Sequence, residues 1–245
     1  MQRNQDIKGF TILELLVVVV LVAIISGVAY PNFSSWKVER EVRAATEKIS
    51  NMISNVSIQT QRGTFAYSQF WIVPIQKQKS GKTITYPVFF SKGMKKDNFT
   101  SIINEGTKPG CSQVQKGYWD DLGQTTKIGG TTYSHFYEVY DPEEGIDEIE
   151  IGTHINLQSA ICFGMNGNYY KAVGNLAKTT NRNIRVEGAD TVNYIIICTQ
   201  KNAQSNGNKC PDTKGKLEKP AYLVKWSRFG NVSKFKWNGS AWNRQ

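Results

Sequence analysis

The sequence predicts an α+β protein: one long amino-terminal helix followed by a β-rich head. Three observations carry this. Residues 10–29 are an apolar run with a single charge, Glu14. Apolar residues then recur at three- and four-residue intervals from Val38 to Val56, the spacing of one helix face. Beyond Gly63 the pattern changes to short strand-like runs separated by turn residues.

The apolar run sets the first question. Twenty residues at ~1.5 Å each reach ~30 Å, the hydrocarbon thickness of a bilayer. A secretory signal peptide would place basic residues first (Arg3, Lys8) and small residues last (Gly27-Val28-Ala29). Glu14 opposes that reading, because a carboxylate inside the apolar core disfavours insertion. A plain anchor leaves the same charge unexplained at a cost of about 2.5 kcal/mol or more. A carboxylate in this position calls for a partner.

The stretch Lys8-Gly9-Phe10-Thr11-Ile12-Leu13-Glu14, then Leu/Val/Ile and Ala29-Tyr30-Pro31-Asn32-Phe33, resembles the processing motif of type IV pilins and type II secretion pseudopilins. The resemblance implies cleavage after Gly9 by a prepilin peptidase and N-methylation of Phe10. It also implies pairing of Glu14 with the terminal amine of a neighbouring subunit. An amine and a carboxylate buried together offset each other, whereas either alone is costly. The expected organisation is a leader at 1–9, a transmembrane or filament-core helix at 10–30, an amphipathic stalk at 31–62 and a head at 63–245.

In the stalk, Val38, Val42, Ala45, Ile49, Met52, Ile53 and Val56 make the apolar stripe, and Lys37, Glu39, Arg40, Arg43, Glu47 and Lys48 the opposite face. Pro31 removes a backbone donor, so a kink or local melting is expected there. In the head, Gln69–Ile75 and Thr83–Phe90 flank the turn of a hairpin. Tyr133–Tyr140, Glu148–Ile155 and Val192–Thr199 read as strands. Ala160–Met165 and Tyr169–Val173 flank Asn166-Gly167, a hairpin signal. Tyr222–Ser227 and Val232–Trp237 flank Phe229-Gly230-Asn231. About eight strands are expected, with residues 92–131 as long loops.

Four cysteines, Cys111, Cys162, Cys198 and Cys210, suit two disulfides in an exported chain. Pairing Cys198 with Cys210 closes a short polar loop, leaving Cys111 with Cys162. Zinc has little support, since no C-x-x-C occurs. His135 and His154 sit in strand-like runs and read as packing or surface residues. GxxxxGK[ST] is absent, and no cofactor, metal or enzymatic activity is expected. Residues 141–150 hold six acids without the EF-hand spacing, and read as a solvated turn.

The net charge is +10, which for an exported protein suggests an acidic partner. From Lys209 to the end, nine basic residues face two acids, a net +7. Aromatic residues alternate with them. Lys225, Arg228, Lys234, Lys236 and Arg244 are therefore candidate DNA contacts. The alternative puts the aromatics in the core and the lysines in water.

Cys162-Phe163-Gly164-Met165-Asn166-Gly167 and Ser227-Arg228-Phe229-Gly230-Asn231-Val232 loosely resemble the heads of GspH/FimT-type minor pilins. Some of that branch bind DNA through Gly-Arg-x-Arg. Here the turn reads Gly230-Asn231-Val232-Ser233, lacking both arginines. The resemblance implies a minor pilin acting in pilus assembly or initiation, near the tip, with other pilins, prepilin peptidase and the inner membrane as partners. It leaves two alternatives, a DNA-uptake subunit and a type II secretion pseudopilin.

Overall fold

The computed structural model describes residues 11–79, 81–104, 119, 124–144, 150–155, 157–165, 167, 169–173, 184–185, 193–212 and 215–245. The chain divides into two compact units, Met1–Arg40 and Glu41–Gln245. A single helix, α1 (Ile12–Gln61), accounts for most of the first and opens the second. Thr11 is its N-cap: its carbonyl accepts from Leu15 N at 3.2 Å.

The second unit carries two antiparallel sheets. In the first, β1 (Tyr67–Lys79) and β2 (Lys82–Met94) pair along their whole length, from Tyr67↔Met94 to Lys79↔Lys82, and Gly81 at φ +75° makes the turn. On the flanks lie β5 (Glu138–Tyr140) beside β2, and β7 (Ser159–Gly164), β8 (Tyr169–Val173) and β9 (Ile184–Arg185) beside β1. The second sheet runs β13 (Trp242–Arg244), β12 (Val232–Trp237), β11 (Ala221–Trp226), β10 (Tyr194–Thr199), β6 (Ile151–Thr153). Trp226 donates its indole N–H to the Tyr169 hydroxyl at 2.7 Å, tying β11 to β8.

Both faces of the first sheet are buried, because β1 and β2 are apolar on each. On one face, Trp71 and Phe90 pack with Tyr133 and Phe136, and Tyr67 with Phe99. Tyr133 and Phe136 come from the run read as a strand, and Phe99 from the segment, residues 92–131, that the sequence suggested to be loops. It holds α2 (Lys96–Asn104), the hairpin β3 (Thr125–Ile128)–β4 (Thr131–Ser134) and fully buried Trp119. The described parts of this segment, α2, Trp119 and the β3–β4 hairpin, therefore form by covering a sheet face, a non-local cause.

The other face, with Phe70 stacked on Phe89 at 5.7 Å and Phe89 on Tyr140 at 6.0 Å, looks toward α1. Val42, Ala45, Ile49, Met52, Ile53 and Val56 are all at most 1% exposed, as the stripe predicts. Val38 is half-buried. Polar side chains fix the helix at its margins. Ser57 Oγ and Gln61 Nε2 donate to Phe229 O at 3.1 and 2.9 Å. Lys48 pairs with Glu138 at 2.7 Å and Glu47 with Lys234. Two residues of the supposed solvent face thus bind strands β5 and β12.

Several expectations are corrected. Tyr133–Tyr140 is not one strand: His135 adopts φ +61° and separates β4 from β5. Of the strand expected at Glu148–Ile155, the described residues 150–155 form β6 at Ile151–Thr153, while residues 148 and 149 lie outside the described set. The backbone of α1 is helical across Pro31, so the local melting expected there is not seen. Thirteen strands are present among the described residues rather than about eight. The polar loop after Cys198 holds a short helix, α3 (Gln200–Gln204), capped by Thr199 Oγ1 accepting from Asn202 N at 3.2 Å.

Cys198 and Cys210 are bonded, as expected. They pack with Ile196, Ala203, Ala221 and Trp237. Cys162 is also disulfide-bonded; Cys111, its expected partner, lies outside the described residues. The Cys198–Cys210 bond closes a loop over a sequence separation of 12, so replacing both by Ser should cost the head about 3 kcal/mol in urea unfolding. Gly230 provides a second test. It has φ +80°, and a Cβ there would fall 2.0 Å from Ser57 Oγ. Gly230→Ala should destabilise by about 2–4 kcal/mol. Gly81→Ala, at φ +75° but in open space, should cost only about 1 kcal/mol.

Candidate functional site: the amino-terminal segment and the basic carboxy-terminal region

A helix begins with unpaired amide donors, and Thr11-Ile12-Leu13-Glu14 has the T-x-x-E arrangement that satisfies them reciprocally. Glu14 N donates to Thr11 Oγ1 at 3.2 Å, and Thr11 N donates to Glu14 Oε2 at 3.4 Å. Glu14 is thus the acidic member of a capping box, next to the positive end of the helix dipole. The T-x-x-E spacing of this box is legible in the sequence itself. Gly9 and Phe10 lie outside the described residues.

Beyond Glu14 the helix presents apolar side chains on every side. Twelve large aliphatic residues between Ile12 and Ile25 are exposed, each by 47% or more. A contiguous apolar surface of this kind has no cover within its own unit and requires lipid or other chains. Among the described residues, no helix is long and apolar enough to cross a membrane.

Residues 4–30 match the prokaryotic N-terminal methylation motif. The match takes in Gly9, Phe10 and Glu14, and gives the chain the signal of pilin-like and pseudopilin subunits, with the processing by prepilin peptidase that the signal implies. No curated protein and no solved structure matches the chain. The likeness of the head to GspH/FimT-type pilins therefore stands on the two hairpin segments alone.

The basic carboxy-terminal residues do not converge. Pairings Tyr222↔Lys236 and Val224↔Lys234 put Lys234 and Lys236 on the face of the second sheet that carries buried Tyr222, Val224 and Trp226. There Lys234 meets Glu47 of α1. Lys225 and Arg244 lie on the opposite face, in register with Ser233 and Phe235. Arg228 sits in the β11–β12 turn, its guanidinium 4.6 Å from the Phe229 ring centroid. The expectation that the lysines face water while Phe235 and Trp237 fill the core was half right. Trp237 is buried beside the disulfide, but Lys234 is turned toward the helix. Alternation along a strand fixes which residues share a face, not which face is inner.

The acidic segment is not simply solvated. Glu143 is buried, with its carboxylate 3.5 Å from Lys77 Nζ. Asp141 Oδ1 accepts from Glu143 N at 3.0 Å, and burial pushes the Asp141 carboxyl up. Both line a cavity of about 280 Å³ with Tyr86 and Lys127. Glu150 is paired with Lys79. These acids answer lysines of the head itself.

The two histidines take structural positions. His135 Nδ1 lies 3.1 Å from Trp119 O. His154 Nδ1 accepts from Ile196 N at 3.0 Å and its ring stacks on Tyr194 at 4.9 Å. Burial pushes His154 down to about 4. Lys92, absent from sequence reasoning, is 3% exposed, with Nζ 4.1 Å from the Trp71 ring centroid. Burial pushes it down to about 8.

Both shifts act in the same direction. Between pH 4 and 6.5 the unfolded chain holds the His154 proton that the folded chain has lost. Between pH 8 and 10.5 the same is true of Lys92. Stability should therefore rise with pH through each window, by about 3 kcal/mol apiece. Buried tyrosines such as Tyr140, pushed up to about 12 by burial, oppose the rise above about pH 10. Urea unfolding across pH should show His154→Asn flattening the lower window. Lys92→Met should flatten the upper one and raise stability at neutral pH.

Proposed function

We propose that this chain is a minor type IV pilin, a structural subunit acting in pilus assembly or initiation at or near the filament tip. The observation that carries the reading is an exposed apolar helix, with Glu14 in its first turn, inside a methylation motif. The chain would be made as a prepilin, held in the inner membrane by residues 10–29 with the head outside, and trimmed after Gly9. In the filament the helix exchanges lipid for the helices of other pilins. The terminal amine of a neighbour then supplies the partner that a carboxylate needs in an apolar setting. The work of the chain is assembly, not chemistry.

A type II secretion pseudopilin uses the same amino-terminal device, and its cargo would distinguish it. A nucleic-acid role has less support, since the five candidate cations are divided between two faces and a turn.

Gly9→Val should leave the full-length chain uncut and Phe10 unmethylated, read by intact mass in cells expressing the peptidase. Glu14→Val should be cut normally and stay with the membrane, yet be lost from the sheared filament fraction. Normal trimming of Gly9→Val, or undiminished recovery of Glu14→Val in filaments, would overturn the proposal.

A further inference from the structure

Just past the apolar run, α1 carries a second exposed cluster on one side. Phe33 and Trp36, three residues apart, have ring centroids 5.9 Å apart and are 63% and 56% exposed. Arg40, one turn further, is exposed and holds its guanidinium 5.2 Å from the centroid of the Trp36 ring. Large apolar rings left in water are costly, and nothing in their own unit covers them.

Their height along the helix is informative. Counted from Ala29, the Cα atoms of Phe33, Trp36 and Arg40 stand ~6, ~10 and ~16 Å further along the axis. A bilayer of ~30 Å hydrocarbon and ~40–45 Å overall leaves ~5–8 Å of headgroup on each side. Helix side chains lean toward the amino terminus, so the rings reach back into that layer. The Arg40 guanidinium is drawn down with them, as its place over Trp36 records. Tryptophan prefers this layer because its body is apolar and its N–H polar. A guanidinium offers paired donors matched to a phosphate.

We propose that Phe33, Trp36 and Arg40 form an interfacial anchor that seats the subunit in the phospholipid headgroup layer before assembly, the rings at the glycerol level and Arg40 on lipid phosphate. The inference rests on the membrane-held precursor described under Proposed function. Continuity with the apolar run, the depth of the rings and the complementarity of guanidinium to phosphate select lipid as the occupant. The anchor would set how deep the helix sits and resist its withdrawal.

The test uses the full chain in vesicles of phosphatidylethanolamine and phosphatidylglycerol, with bromine on the acyl chains either near the glycerol or near the chain ends. The difference between wild type and Trp36→Phe isolates the Trp36 emission. The expected result is strong loss of that emission with bromine near the glycerol and little with bromine near the chain ends. In Arg40→Ala, the loss should no longer increase with phosphatidylglycerol content. Alkaline carbonate extraction is run in parallel. A chain that resists extraction while its Trp36 emission is untouched by either bromine would overturn the anchor and leave the membrane-held precursor standing. Trp36 emission shielded from both bromine and aqueous acrylamide would assign the rings to a neighbouring helix and overturn it equally. Release by carbonate would overturn both readings together.

Discussion

The buried stripe of α1 is the constraint on which the head depends. Val42, Ala45, Ile49, Met52, Ile53 and Val56 occupy one side of the helix and are closed off from water. Each large member contributes roughly 1.5–3 kcal/mol of burial. More important than the sum is the geometry. A helix lying across both sheets obliges each to turn one apolar face inward, and this decides the inner face of β11 and β12. Lys234 then falls on the inner face, at its margin, where Glu47 meets it. The placement of the basic residues is a consequence of helix packing before it is a matter of any ligand.

The first sheet has a further need. With α1 on one side, Trp71, Val73, Val88 and Phe90 remain on the other. The segment after β2 meets it: α2, Trp119, the β3–β4 hairpin and Phe136 build a second cover. That cover also encloses Lys92, whose stem packs while its ammonium rests on the Trp71 ring. Its lowered proton affinity reflects the dry surroundings.

What could be read from sequence follows from whether the cause is local. The amino-terminal motif and the apolar stripe are encoded in spacing along one helix. The hairpins at Gly81, Gly167 and Gly230 were legible because each requires a positive φ that glycine supplies at little cost. The cover made by α2, Trp119, the β3–β4 hairpin and Phe136 was not legible, because it depends on aromatic contacts to Trp71 and Phe90 formed only after β1 and β2 pair. The break at His135 was hidden for a related reason. An alternating run looks the same whether it continues straight or turns between Tyr133 and Glu138 to reach two different neighbours. The third strand of the carboxy-terminal region, β13, is three residues long and carries too little pattern to declare itself.

Glu14 shows how one residue answers two requirements. A carboxylate near the end of an apolar helix needs compensation wherever it resides. In the single chain the helix itself provides it: the amide of Thr11 and the dipole of the first turn offer positive charge at the right end. The contact is long, at 3.4 Å, and so leaves the carboxylate room for a stronger donor. Under the proposed function, a neighbour's amine replaces a peptide N–H, turning a neutral donor into a charged one. The precursor is thereby tolerable alone and better satisfied in company. Cleavage after Gly9 would be what creates that amine, so that only a trimmed subunit can complete the exchange.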